Sequence, residues 1–140
     1  MTADAFRAQV NAAINAHALW KAHLGTAITL GSAPFRVEDV GRDDRCKFGQ
    51  WLHGLRSEKN APQFEEVRAL HARFHEEAAR VLDLALSGKA EEARARVAPE
   101  SEYASTSARL VEALVAWSEQ FNGTGVYPPR GRVDPALTAP

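Results

Sequence analysis

The sequence predicts an all-α protein, a four-helix-type bundle with an additional short helix that carries a cysteine motif. Three observations predict it. Apolar residues recur at steps of three and four over three long stretches, the period of a helix with one buried stripe. Gly31 and Pro34, Pro62, and Ser87-Gly88 stand at the ends of those stretches as start and stop signals. No segment alternates apolar and polar residues as a half-buried strand would, and no internal repeat is present. At 140 residues the chain is long enough for one domain with a single core.

The first helix is expected from residue 4 to about 30, with Phe6, Val10, Ala13, His17, Trp20, Leu24 and Ala27 on one stripe. Gly31 and Pro34 supply its stop. His17 falls between Ala13 and Trp20 in the stripe, whereas His23 falls off it and reads as a surface residue. Residues 31–43 read as a connector with a turn of helix near Val37. Asp43 or Asp44 is a plausible N-cap for a short helix over 44–55, on which Cys46, Trp51 and Leu55 share an inward face. Gly49 inside that helix weakens it by about 1 kcal/mol relative to alanine, so another backbone is expected to pack closely there. His53 reads as surface.

Residues 56–61 read as a polar loop, and Pro62 suits the first turn of the second long helix. Its stripe is Phe64, Val67, His71, Phe74, Ala78, Val81 and Ala85, closed by Ser87 and Gly88, with Gly88 in the left-handed C′ position. Residues 89–97 form a short alanine- and charge-rich helix that Pro99 breaks. The last helix runs from about Glu100 to Phe121 on Tyr103, Ser107, Leu110, Leu114, Trp117 and Phe121. Trp20, Trp51, Trp117 and Phe74 read as core. Residues 1–121 are therefore taken as the helical domain. Residues 122–140 hold four prolines and three glycines and read as a flexible tail.

Charge and composition exclude several function classes. The net charge is −1, which gives no reason to expect nucleic acid or an anionic membrane as partner. Nothing approaches the ~20 apolar residues of a membrane span. The N-terminal residues lack the pattern of a secretory signal, and one cysteine forms no internal disulfide, so the cytoplasm is the expected compartment.

The chemistry lies in that single cysteine and three histidines. Cys46 is followed 25 residues later by His71 and, one helical turn on, by His75 on the same face; His17 precedes it by 29. One sulfur and three imidazoles are a natural tetrahedral set for zinc. They would converge from three elements: His17 from the first helix, Cys46 from the short one, and His71 and His75 from the second long one. With four protein ligands no position stays open for water, and closed sites of this kind are typically structural rather than catalytic. Residues 72 and 73 are Ala and Arg, so the glutamate that serves metalloproteases as base is missing. Each residue also has a plainer role: a histidine in an apolar stripe can be a hydrogen-bonded core residue, and a lone cysteine a small buried hydrophobe.

At these residues the chain resembles the chemoreceptor zinc-binding domain family. The resemblance rests on His17-x-x-Trp20-Lys21, on Cys46-Lys47-Phe48-Gly49-Gln50-Trp51-Leu52 and on His71-x-x-x-His75, over roughly residues 5–121, with Phe48 where leucine is common. It implies a helical bundle with one zinc on His17, Cys46, His71 and His75. It further implies a non-enzymatic sensory role, responsive to zinc or to oxidants such as hypochlorous acid, with a chemoreceptor or diguanylate cyclase as partner and often a homodimer. No output domain is present in this sequence, so a free-standing member is expected. Orienting a ligand histidine is the alternative to capping for Asp43 or Asp44.

Two other readings compete. A di-iron or oxygen-handling bundle needs five or more histidine and carboxylate ligands, and the Glu-x-x-His pattern is absent, since Arg68 and Ala72 stand three before His71 and His75. Zinc-dependent hydrolysis would need Cys46 to leave the metal and an acidic base such as Glu76 to face it.

Overall fold

A computed structural model describes residues 1–121, and the expected tail at 122–140 lies outside the described residues. Among the described residues there are six α-helices, one 3₁₀ turn and no strand: α1 (Ala3–Leu30), α2 (Val37–Val40), α3 (Lys47–His53), the 3₁₀ turn (Ser57–Asn60), α4 (Pro62–Leu86), α5 (Ala90–Arg96) and α6 (Glu102–Gln120). The long helices α1, α4 and α6 pack on one another, and α5 lies against α4 and α1. α2 and α3 cover one flank, α2 against α4 and α3 against α1.

The helix ends follow local chemistry. Thr2 caps α1 by accepting from the Ala5 N–H at 3.0 Å, and Ser101 caps α6 by accepting from the Ala104 N–H at 3.2 Å, each satisfying an otherwise unpaired donor. Gly31 ends α1 at φ 69° and Gly88 follows α4 at φ 78°, left-handed positions that glycine adopts without a Cβ penalty. Pro62 opens α4.

The expected stripes are buried with local differences. Phe6, Val10, Ala13, His17, Leu24 and Ala27 of α1 are buried, as are all seven expected positions of α4. Trp117 and Phe74 are core, but Trp20 and Trp51 are only half-buried and pack on the core's edge. On α6 the buried residue is Thr106, with Ser107 half-exposed. The expected loop at 56–61 contains the 3₁₀ turn, and it carries the buried Glu58, whose carboxylate accepts from the Arg56 N–H at 3.3 Å.

Two clusters join the helices. At one end Phe6 packs edge-on to Trp51 (5.4 Å) and Trp117 (4.9 Å) and stacks on Phe121 (4.2 Å), tying α1 to α3 and α6 through large apolar areas and favourable ring geometry. On α4 the buried Glu77 carboxylate pairs with Arg80 (3.3 Å) and with Arg96 (3.6 Å) of α5.

Candidate metal centre

Half-way along α1 the apolar stripe is interrupted by His17, and α4 brings His71 and His75 to the same level. All three are buried. Cys46 approaches from the N-terminus of α3 and is the one member of the group that reaches the surface.

The four ligand atoms converge. His71 Nε2 lies 3.1 Å from His17 Nε2 and 3.1 Å from His75 Nε2. Cys46 Sγ lies 3.4 Å from His71 Nε2, 3.6 Å from His75 Nε2 and 3.9 Å from His17 Nε2. Metal–nitrogen bonds of about 2.0–2.1 Å and a metal–sulfur bond of about 2.3 Å give a tetrahedron with edges of about 3.3 Å and 3.5 Å. The observed separations fall close to those edges.

Hydrogen bonding on the far side of two rings fixes which atoms face the centre. His17 Nδ1 is 2.6 Å from the Ala13 carbonyl, and His75 Nδ1 is 2.8 Å from the Val40 carbonyl. A carbonyl only accepts, so each Nδ1 carries the proton and each Nε2 presents a bare lone pair. Two lone pairs therefore meet His71 Nε2 in a dry interior, where one N–H cannot satisfy both. His71 Nδ1 is itself buried without a hydrogen-bond partner. Such a gathering of acceptors is poor as a hydrogen-bonded core and suited to a cation.

Electrostatics point the same way. Burial, opposed by the Ala13 carbonyl and reinforced by His75, lowers the His17 pKa to about 4. Burial and the neighbouring His75, His17 and His53 lower His71 to about 2. Burial also lowers His75, against the raising effects of the Val40 carbonyl and Asp43. All three imidazoles are thus neutral near pH 7, the form that binds metal. Burial pushes the Cys46 thiol up, opposed by the Gly49 N–H, so without a cation the sulfur holds its proton.

The local structure of α3 departs from expectation. The helix is Lys47–His53, shorter than 44–55, and its N-cap is neither Asp43 nor Asp44 but Cys46, whose Sγ accepts from the Gly49 N–H at 3.2 Å. Asp43 pairs with the half-exposed His53 at 3.4 Å, and Asp44 with Arg42 at 3.0 Å. The carboxylate expected to orient a ligand ring is therefore replaced by the backbone carbonyls of Ala13 and Val40. Sequence reasoning missed both, because a carbonyl has no side-chain signature; the i−4 spacing of Ala13 from His17 was the one available sign. The close approach expected at Gly49 is present: a Cβ there would lie 1.7 Å from the Asp43 carbonyl oxygen and 3.2 Å from His71 Cε1.

His23 and His53 are exposed, as expected. Glu76 is also exposed and lines a different cleft, with Arg73 and Arg109, so the hydrolytic arrangement finds no base at the centre. No carboxylate joins the His17, Cys46, His71 and His75 group among the described residues, which leaves a di-iron centre without its bridging ligands.

Fold and site together define a helical metal-binding module with a three-histidine, one-cysteine donor set. Residues 17–82, from the middle of α1 through most of α4, match the family model of the chemoreceptor zinc-binding domain. No curated protein and no solved structure matches the chain. Zinc is the cofactor of this domain, and the thiol-and-imidazole donor set suits it. No described helix is long and apolar enough to cross a membrane.

Proposed function

We propose that His17, Cys46, His71 and His75 hold one zinc ion as a closed four-coordinate centre within a helical unit spanning residues 1–121, and that this centre is a sensory switch. The observation that carries the reading is the convergence of three Nε2 atoms and one Sγ, with two imidazoles locked by backbone carbonyls so that their lone pairs face inward. Bound zinc supplies a charge that holds Cys46 as thiolate. The chain's own part is to keep the imidazoles neutral, orient their lone pairs and leave only the sulfur accessible.

A thiolate at the surface of a buried histidine cluster is where an oxidant acts first. Hypochlorous acid would transfer its oxygen to sulfur, giving a sulfenic acid and releasing chloride. The oxidised sulfur is a poorer ligand, and α3, which Cys46 caps, is freed to move. Zinc availability is the second input, because zinc binds only the arrangement in which α1, α3 and α4 are docked together. The output would pass to a chemotaxis or cyclic-di-GMP protein, directly or within a homodimer.

Metal analysis tests the centre. The protein is expected to carry about one zinc per chain, with stoichiometric loss in Cys46→Ala and His71→Ala; full zinc in both variants would remove the reading. For the oxidant input, hypochlorous acid should alter near-UV circular dichroism in the wild type and not in a Cys46→Ser variant.

A further inference from the structure

The exposed side of Cys46 opens into a cleft of ≈ 350 Å³, a size within the range of small-molecule sites. Its floor is formed by Cys46 and His75 themselves, and Val40, whose carbonyl holds His75 Nδ1, lies beside them. One wall is aromatic. The Trp20 and Phe35 rings stand 5.0 Å apart at 53°, and His23 packs on both from behind at 5.4 and 5.3 Å. The rings therefore present a corner of fixed geometry, into which a third ring can pack edge-to-face.

Two guanidinium groups and one carboxylate line the cleft, the carboxylate offsetting one of the two positive charges. They belong to Arg36, Arg45 and Asp39. Arg36 is engaged by Glu38 at 3.7 Å. Arg45 is exposed, and no hydrogen bond or ion pair of its guanidinium is found among the described residues. Its neighbour Asp44, which feels the Arg45 charge, is held by Arg42. A zinc ion with one thiolate would add a further net positive charge at the floor. An aromatic corner, an available guanidinium and a positive floor are complementary to one chemistry: an aryl group bearing a carboxylate, the ring against Trp20 and Phe35 and the carboxylate on Arg45.

We infer that this cleft is a binding site for a small aryl carboxylate, seated over the Cys46–His75 edge of the metal centre. The inference goes beyond the sensory reading and does not need a signalling partner. It gives the protein a way to recognise an organic anion next to the metal.

The test uses the zinc-loaded full chain, labelled with ¹⁵N and titrated with 3-phenylpropionate, with the neutral 3-phenylpropanamide as the second arm. Saturable shifts are expected at the Trp20 indole N–H and at backbone amides of residues 35–46, with the amide binding about tenfold or more weakly, the effect of losing one charged hydrogen bond. Arg45→Gln and Arg45→Glu should weaken the acid by a similar factor while metal analysis returns the wild-type zinc content. Phe35→Ala should weaken acid and amide alike. The inference is overturned if the acid gives no saturable shift, if the shifts lie away from Trp20, if acid and amide bind equally, or if both Arg45 variants bind as the wild type does. Loss of zinc from the wild type on adding the acid would also overturn it, since the carboxylate would then be acting as a chelator. Failure of the zinc centre itself would be visible separately, as absence of metal in the starting protein.

Discussion

Replacing Gly49 by alanine gives the sharpest reading of how the fold holds the metal centre. Glycine inside a helix ordinarily destabilises it, so Gly→Ala in open space stabilises by roughly 0.5–1 kcal/mol. Gly25 on α1 is such a place, where an added Cβ would meet nothing within 4 Å. At Gly49 the same methyl would sit 1.7 Å from Asp43 O, 2.8 Å from Asp43 C and 3.2 Å from His71 Cε1. Carbon contacts settle at about 3.5–4.0 Å, so the backbones must part by about 1.5 Å or more. Both obstacles to the methyl belong to the site: the Asp43 carbonyl precedes the ligand loop, and the His71 ring is itself placed to bind. Cys46 caps the helix that must move, and metal–ligand distances tolerate only about 0.2 Å. Gly49→Ala should therefore lose about 1–3 kcal/mol by overpacking and weaken zinc binding by about 10–100-fold, the range for disturbing a ligand's support. Gly25→Ala should gain stability and bind zinc normally. Urea unfolding in the presence of a chelator separates the first effect, and competition against a zinc-binding dye measures the second. Wild-type zinc affinity together with an unchanged or raised midpoint in Gly49→Ala would refute the reasoning.

Three further outcomes follow. Metal-free protein should be less stable at low pH: His17 is lowered from 6.5 to about 4 and His71 to about 2, so the unfolded chain takes up protons that the fold refuses, and stability present above pH 6.5 drains as the pH falls toward 4. A urea midpoint that stays flat between pH 7.5 and 4.5 in chelator would contradict this. Zinc should raise stability by about 2.7 kcal/mol at a free concentration a hundredfold above its dissociation constant, visible as a higher melting temperature that a chelator reverses; equal melting with and without zinc would count against binding to the folded state. Glu77→Ala leaves Arg80 and Arg96 without their shared carboxylate and should loosen α5 first, read as faster hydrogen exchange over residues 90–96, with zinc content unchanged.

The fold was legible where one signal acted alone. Periodicity placed α1, α4 and α6, and Gly31, Pro62 and Gly88 marked their ends because each has a conformational reason to be there. The four donors were legible for a related reason: histidine in an apolar stripe and a solitary cysteine each break the pattern. What stayed hidden depended on tertiary geometry. Asp43 and Asp44 look like better caps than a cysteine, yet His53 and Arg42 hold them, and Cys46 takes the capping position. Glu58 is buried in a segment whose composition says loop. Ser107 and Thr106 are both small hydroxyl residues at neighbouring angles of the stripe, and the tertiary packing of α6 buries Thr106. The carbonyls of Ala13 and Val40 belong to ordinary alanine and valine, so composition could not mark them.

The way α3 is fastened has a consequence for how the protein comes apart. On one side Trp51 leans on Phe6 in the aromatic cluster that also contains Trp117; on the other, Cys46 reaches the histidines. Withdrawing the metal releases only the second anchor. The stretch from the end of α1 to the start of α4 would stay seated through the buried Val40, Phe48, Leu52 and Ala61 and the packing of α2 on α4, so the loosening is confined to the Cys46 edge while the three long helices keep their mutual grip. Loss of the metal is therefore expected to show first as a local loosening around Cys46, before any global melting.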